Sequence, residues 1–158
     1  MDERTSHDYR KYYNILEIID NGASGIVFKG KEIKTNEERA IKVIQLDKIK
    51  KNMLIFGNED IEKKLKEYID GLINEFENMK ICYNINSVKC YEYFIDKKNF
   101  VIIMELCDGN LSQLLLDKNK KGLNDKEIYE IMIQLNNAFK IMEQNKIIHR
   151  DLKLEIFL

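Results

Sequence analysis

The strongest constraint on the fold is a series of short β-rich segments, separated by turn formers, in the first 45 residues. Segment 14–20 (NILEIID) favours a strand and leads directly into Asn21-Gly22, a strong turn signal. Segment 26–30 (IVFKG) is the next candidate strand, the polar stretch 33–39 is expected to be a loop, and 40–45 (AIKVIQ) is a third strand. This order predicts an antiparallel meander.

The middle of the chain alternates helical and strand patterns. Segment 46–56 is rich in lysine and is expected to be irregular, whereas apolar residues recur at helical spacing over 61–79. That stripe predicts one long amphipathic helix whose apolar face packs on the sheet, with Gly71 as a candidate break between two helices. Segments 88–95 and 100–106 are β-rich and flank four turn-forming residues, which predicts a β-hairpin.

The last third of the chain is expected to be helical. Asn110 precedes a short apolar run, 111–116, in the manner of a helix N-cap. Asp125 is expected to cap a further helix that ends near Asn145 and carries an apolar stripe. The predicted fold class is therefore α+β: an antiparallel five-stranded sheet with one main helix, followed by the start of a helical region.

Composition excludes several classes of protein. The 158 residues allow one domain or a large part of one, and the net charge of −1, from 26 Lys and Arg against 27 Asp and Glu, offers no general attraction to nucleic acid or to an anionic membrane. Cys82, Cys90 and Cys107 show neither a disulfide framework nor zinc-ligand spacing. No signal peptide or membrane span is expected, so the predicted location is the cytoplasm, with the nucleus as an alternative.

Residues 19–27 (IDNGASGIV) form a glycine-containing turn between the first two predicted strands. Backbone N–H groups can approach phosphate oxygens where Gly22 and Gly25 remove the side chains that would obstruct them. The setting between two strands excludes a dinucleotide-binding fingerprint, in which a helix follows the glycines. From these residues alone, phosphate binding and an ordinary hairpin turn both remain open.

Lys42 lies in the middle of the third predicted strand. Alternation places it on the face of Ala40 and opposite Ile41 and Val43. Such a lysine is either a snorkelling surface residue or an ammonium group that contacts phosphates and is itself held by a carboxylate. Glu75 on the predicted long helix is the candidate carboxylate, and the alternative is that Glu75 is simply solvated.

Segment 148–153 (IHRDLK) carries the strongest chemical signal. Asp151 can accept or orient a hydroxyl proton, and Lys153 can neutralise charge on a transferring phosphoryl group. His149 is expected to be a packed, hydrogen-bonded core histidine rather than a catalyst. These residue types favour phosphoryl transfer.

The order of these motifs resembles that of the eukaryotic protein kinase family. The motifs are the glycine turn, the Ala-Ile-Lys strand, a helix glutamate, a strand ending in Met-Glu-Leu-Cys and the His-Arg-Asp-Leu-Lys segment. The resemblance covers 13–158, with 13–106 as the N-lobe, 107–158 as the start of the C-lobe and 1–12 as an N-terminal extension. A lysine at position 153 resembles the catalytic-loop pattern of the serine/threonine kinases, from which tyrosine kinases usually differ. The resemblance implies a kinase-like fold, ATP as cofactor with Mg²⁺, and a protein substrate or regulatory partner. For this domain fragment it implies transfer of the γ-phosphoryl group to protein Ser or Thr if the missing part of the C-lobe completes it.

The resemblance also implies residue roles. The glycine turn would cover the ATP phosphates, Lys42 would contact them, and Glu75 would pair with Lys42, with Glu67 or Glu77 as alternatives because 46–70 resembles an insertion. The implied gatekeeper is Met104, the implied hinge is 105–107, and the implied adenine walls are Ile19, Val27, Ala40 and Leu158. The expected catalytic residues are Asp151 and Lys153, and the expected nucleotide-binding residues are Ile19, Asp20, Asn21, Gly22, Ala23, Ser24, Gly25, Ile26, Val27, Ala40, Lys42, Glu75, Met104, Glu105, Cys107 and Leu158.

The sequence departs from the family pattern in the glycine turn and at the expected metal ligands. Asp20 stands where the first loop glycine is common, and Ile156 stands where the family has a metal-binding Asn. An isoleucine cannot ligate Mg²⁺, and no Asp-Phe-Gly segment precedes Leu158, so no protein metal ligand is expected. By itself, this chain is therefore expected to have a kinase activity that is lower by on the order of a thousandfold or more. The alternatives are a catalytically dead pseudokinase that acts as a binding or regulatory module, and a truncated gene product.

Overall fold

The computed structural model describes residues 8–22, 24–55, 60–117 and 122–154. After a short 3₁₀ turn at Tyr9–Lys11, the elements are β1 (Tyr13–Gly22), β2 (Gly25–Glu32), β3 (Glu38–Gln45), α1 (Leu46–Ile55), α2 (Ile61–Ile81), β4 (Cys90–Ile95), β5 (Asn99–Met104), α3 (Leu111–Asp117) and α4 (Asp125–Gln144). The chain divides into two compact units. The first, 1–77 with 90–106, is called the sheet unit, and the second, 78–89 with 107–158, is called the helical unit.

The sheet unit contains one antiparallel five-stranded sheet with the order β1-β2-β3-β5-β4. The predicted meander and the predicted 88–106 hairpin are confirmed, which agrees with the expected α+β class. β3 begins at Glu38 rather than at residue 40, because Glu38 and Arg39 pair with Lys31 and Gly30 of β2. The polar 33–39 loop is thus two residues shorter than expected.

One face of the sheet carries a compact cluster of buried aromatic and aliphatic residues. Phe94 is 1% exposed and contacts the rings of Tyr9, Tyr12 and Tyr13 at centroid distances of 6.4, 5.8 and 6.2 Å. Burying an aromatic side chain of this size contributes about 2 kcal/mol. The buried cluster on this face consists of Tyr9, Tyr13, Ile41, Val43, Phe94, Val101 and Ile103.

The other face of the sheet receives α2, as its apolar stripe predicts. Leu72 and Phe76 are the buried residues of this helix. Phe76 meets Tyr93 of β4 edge-on at a centroid distance of 4.9 Å, and Tyr93 stacks on Phe100 at 5.4 Å. The helix runs without a break through Gly71, so the expected interruption there is wrong. A single helical glycine costs only about 1 kcal/mol, and the apolar stripe on both sides of it is continuous.

The segment after β3 is the helix α1, so the expectation of irregular structure over 46–56 is wrong. Leu46 is buried, and Ile49 and Met53, three and seven residues later, are half-buried on the same side of the helix. The N–H groups of Leu46 and Asp47 donate to the carbonyl of Lys98 at 2.7 and 3.4 Å, which ties the start of α1 to the β4–β5 turn. Because the segment contains many lysines, its short amphipathic helical pattern was not recognised from the sequence.

The helical unit contains α3 and α4. Asn110 caps α3 as predicted: its side chain accepts from the N–H of Gln113 at 2.9 Å, and the Gln113 side chain accepts from the N–H of Asn110 at 3.0 Å. α4 is capped by Asn124 and not by the expected Asp125, because Asn124 and Glu127 form a reciprocal capping box. Across the parts of the chain that the structure describes, no helix is both long and apolar enough to cross a membrane.

Candidate functional site

The glycine turn closes the β1–β2 hairpin, and its two glycines have different surroundings. Gly22 pairs with Gly25 at the end of the ladder. A Cβ on Gly22 would meet nothing within 4 Å, so this position is open to a ligand. Gly25 has φ +129°, and a Cβ there would lie 2.6 Å from the carbonyl oxygen of Val43. Gly25 is therefore required by the close approach of β3, with or without a phosphate.

The other predicted positions of the turn are mostly exposed. Ser24 is exposed and Ile26 is half-buried, while Ala23 lies outside the described residues. The carboxylate of Asp20 accepts a hydrogen bond from the N–H of Asn21 at 2.9 Å. The negative charge that replaces the usual glycine is thus engaged by the adjacent backbone.

Lys42 lies at the centre of a cross-strand row that runs over all five strands. Its Cα partners are Val27 on β2 and Ile102 on β5, and these are in turn opposite Asp20 on β1 and Tyr93 on β4. Residues in register share one face of a sheet, so the row brings Lys42 onto the same face as Val27. Lys42 is half-buried, and its neighbours Ile41 and Val43 point into the core on the opposite face, as the alternation predicts.

Two further predicted residues lie on the same face of the sheet. Ala40 is two residues before Lys42 and is 6% exposed, and it pairs with Met104, which is half-buried at the end of β5. Ile19 falls at a β-bulge between Ile18 and Asp20 and is 44% exposed. Sequence reasoning missed Ile102, which lies directly beside Lys42. The alternation of segment 100–104 opposite the third strand is the signal that identifies it.

Glu75 lies on α2, one residue before the Phe76 side chain that packs on the Lys42 row. Glu75 is exposed, and its negative charge adds to burial in raising the pKa of Tyr68 on the same helix. Among the described residues, no nitrogen–oxygen separation within 4 Å joins Lys42 to Glu75, Glu67 or Glu77. The fold thus packs α2 against the cross-strand row that contains Lys42, but Lys42 and Glu75 do not form an ion pair.

The helical unit contains the other predicted site residues. Asp151 and Lys153 are joined by an ion pair of 3.1 Å between Oδ2 and Nζ, and their side chains are 70% and 54% exposed. Arg150, between His149 and Asp151, has φ +67°, a left-handed conformation that non-glycine residues adopt rarely. His149 is exposed, so the expectation of a packed core histidine is wrong. The segment that carries it lies on the surface, after a helix with no buried residue.

Residues at the predicted hinge follow β5 directly. Glu105 is exposed and belongs to the sheet unit, and Cys107 is half-buried and belongs to the helical unit. Leu158, the fourth predicted apolar wall, lies outside the described residues, as does Ile156.

At one implied ligand position, the side chain cannot coordinate magnesium. Mg²⁺ requires oxygen ligands, and the alkyl side chain of Ile156 offers none at the position where the resemblance implies an Asn. In the described ranges, no group of three or more His, Cys, Asp or Glu side chains is placed to hold a metal ion. We therefore assign no chemical step to a metal.

Comparison with known proteins identifies relatives over nearly the whole chain. A family model described as the protein kinase domain matches residues 13–158. The chain is 32% identical over 139 residues to calcium-dependent protein kinase 5 of Plasmodium falciparum, which covers 87% of this chain and 21% of the relative. It is 33% identical over 135 residues to serine/threonine-protein kinase atg1 of Dictyostelium discoideum, covering 84% and 18%. For serine/threonine-protein kinase KIC1 of Saccharomyces cerevisiae, the identity is 30% over 146 residues, covering 92% and 12%. The chain thus spans about a fifth or less of the length of these relatives.

Proposed function

The chain belongs to the protein kinase domain family and is related to serine/threonine kinases. On that premise we propose that it binds ATP and, as part of a complete kinase domain, serves the transfer of the γ-phosphoryl group to a protein Ser or Thr hydroxyl. Adenine would lie against Val27 and Ala40, and the phosphates against the open Gly22 end of the hairpin. A protein substrate or a regulatory protein is the proposed partner.

The observation that carries this proposal is the position of Lys42. It is a half-buried cation in the middle of a row of otherwise largely apolar partners, Val27, Ile102 and Tyr93, and it makes no ion pair within the described residues. A lysine held there presents its ammonium group as a compact point charge, which suits the oxygens of a phosphate chain. The alternative role is that of a snorkelling lysine whose alkyl chain packs on the sheet.

The transfer step requires a proton acceptor and a counter-charge. In the proposed reaction the substrate hydroxyl oxygen forms a bond to the γ-phosphorus, the bond from that phosphorus to the bridging oxygen breaks, and ADP leaves. The hydroxyl proton passes to the Asp151 carboxylate. Lys153, 3.1 Å from that carboxylate, would orient it and offset negative charge on the transferred group.

Binding of ATP tests the first half of the proposal. Lys42→Met removes the ammonium group and keeps the length of the side chain, so we expect ATP affinity to fall by about tenfold or more. Lys34→Met is the matched control, because Lys34 lies exposed in the turn between β2 and β3. Fluorescence anisotropy with a labelled ATP measures both variants. Equal affinity in the two variants, or no binding by the unaltered chain, would contradict the proposal.

A second candidate function is a pseudokinase module that binds nucleotide or a protein without transferring phosphate. Ile156 in place of a metal-binding Asn favours it, as does the open Lys42–Glu75 pair. The retention of Lys42, Glu75 and Asp151 opposes it. Phosphotransfer that Asp151→Asn abolishes would establish the kinase, whereas ATP binding without transfer would establish the module.

A further inference from the structure

The surface of the sheet unit has an open cleft of about 390 Å³, called the cavity below, that is separate from the proposed ATP face. It lies where β3 runs into α1 and where the β4–β5 turn joins β5. All of its lining residues are polar or charged: Gln45, Asp47, Lys48, Lys51, Lys98 and Asn99. None of them has a role in the function proposed above.

The fold assembles these residues from three segments. Gln45 and Asn99 are Cα partners at the end of the β3–β5 ladder, which brings two side-chain amides together. The hydrogen bonds from the start of α1 to the carbonyl of Lys98 hold that helix against the turn. Lys48 and Lys51 are three residues apart in α1 and therefore lie on one side of the helix, the side that lines the cavity with Lys98.

The charges of the cavity do not cancel. Within the described residues, Lys48, Lys51 and Lys98 make no ion pair, whereas their neighbour Lys50 is paired with Glu62. Three ammonium groups and the Asp47 carboxylate give a net charge of +2. This concentration of positive charge belongs to a chain whose overall net charge is −1.

One further carboxylate lies beside the cavity without lining it. Asp96 accepts hydrogen bonds on Oδ1 from the N–H groups of Lys98 and Asn99 at 2.6 and 2.7 Å. The side-chain Nδ2 of Asn99 also donates to Oδ1 and Oδ2 of Asp96, at 3.5 and 3.4 Å, and together these bonds shape the turn. Asp96 is thus engaged by the turn itself and does not pair with any of the three lysines.

We propose that this cavity binds a phosphate monoester dianion. Its negative charge is attracted by the net positive charge of the lining, lysine ammonium groups bind phosphate oxygens as point charges, and the Gln45 amide can donate a further hydrogen bond. The lining residues are all polar or charged, which favours a polar or charged ligand. The phosphate is either that of a free small molecule or that of a phosphorylated peptide side chain.

Amide chemical shifts of the ¹⁵N-labelled 158-residue chain test the proposal. Inorganic phosphate, a phosphoserine peptide and the same peptide without phosphate are titrated at constant ionic strength. We expect saturable shifts at Leu46, Asp47 and Asn99 with phosphate or with the phosphopeptide, and none with the unmodified peptide. Saturation by both probes indicates any accessible phosphate monoester, whereas saturation by one alone identifies the source.

Substitutions separate this cavity from general attraction and from the ATP site. The double variant Lys48→Gln, Lys51→Gln should weaken binding by about tenfold or more. The charge-matched control Lys63→Gln, Lys66→Gln, on the exposed surface of α2, and the variant Lys42→Met should leave it within about twofold. Lys98→Gln alone, which alters no helix, should weaken phosphate binding severalfold. This variant replaces the double variant in the test if the double variant does not fold.

Three results would overturn the proposal. Chemical shifts that do not saturate would show nonspecific ionic screening of the surface charges rather than binding at a site. Equally weakened phosphate binding in the α2 control variant would show general electrostatic attraction. Binding that is lost in Lys42→Met but retained in the cavity variants would place the anion on the ATP face. If the chain does not bind ATP but still shows the saturable phosphate-induced shifts, the proposed function is wrong and the cavity proposal stands.

Discussion

Gly25 and Gly22 form the last residue pair of one hairpin, yet only Gly25 is required by the sheet. With φ +129° and the Val43 carbonyl 2.6 Å from a built Cβ, Gly25→Ala must shift backbone atoms. We expect the free energy of unfolding to fall by about 2 kcal/mol or more. Gly22→Ala, the matched control, should change it by less than about 0.5 kcal/mol, because the space around it is open. Chemical denaturation measures both, and an equal loss in the two variants would contradict this prediction.

The buried hydroxyl of Tyr13 gives the sheet unit a pH dependence. It donates to the Glu92 carboxylate at 2.5 Å, and burial together with this bond raises the pKa of Tyr13 well above its ordinary value of 10.0. The raised pKa favours the protonated form in the folded state, so the related stability is complete below pH 10.0 and is lost as the pH rises above that value.

Substitution of this tyrosine should reduce the alkaline loss of stability. At neutral pH, Tyr13→Phe should cost about 1 kcal/mol, because the Glu92 carboxylate loses its donor. Between about pH 10 and 12, its free energy of unfolding should fall less steeply than that of the unaltered chain. Tyr129→Phe is the control, since Tyr129 is 66% exposed. Parallel slopes for the unaltered chain and Tyr13→Phe in denaturant titrations across this range would count against the assignment.

At the scale of a single element, α4 depends on its capping box. Asn124→Ala removes the acceptor for the N–H of Glu127 and should cost the helix about 1 kcal/mol. Asp125→Ala removes only a first-turn charge and should cost less, about 0.5 kcal/mol. Hydrogen exchange of the α4 amides measures the local opening free energy in each variant. A larger effect of Asp125→Ala would restore Asp125 as the cap.

Sequence patterns predicted those elements whose signal is local. Alternation placed Lys42 on the correct face, and the stripe over 61–79 gave α2, because periodicity alone decides which residues share a face. The pattern of α1 was concealed by its lysines, and the cap of α4 was misplaced by one residue, since Asn and Asp both favour that position.

Side-chain placement across elements was less predictable. The exposure of His149 depends on what packs around the segment after α4, and no spacing in the sequence encodes that. The Lys42–Glu75 pair depends on rotamers and on the exact position of α2 against the sheet, so the sequence identified the two residues without fixing their separation. The predicted roles of these residues remain proposals.

For the whole molecule, the buried apolar surface is distributed very unevenly. Every hydrophobic side chain that is buried among the described residues belongs to the sheet unit. α4 has no buried residue, and Ile128, Tyr129 and Met132 on it are 46%, 66% and 58% exposed. Burial of apolar surface is the main favourable term in folding, so the two units cannot contribute equally to stability.

This imbalance predicts that the helical unit opens without unfolding of the sheet. Amides of β3 and β5 should exchange only through global unfolding, and those of α4 should exchange at least about 100-fold faster, through a local opening. Native-state hydrogen exchange with mass spectrometry, repeated at rising denaturant, distinguishes the two routes because only global unfolding depends steeply on denaturant. Asn124→Ala should speed exchange in α4 and leave β3 unchanged. Protection of α4 equal to that of β5 would mean that the chain is one cooperative unit, with α4 stabilised by contacts other than buried apolar side chains.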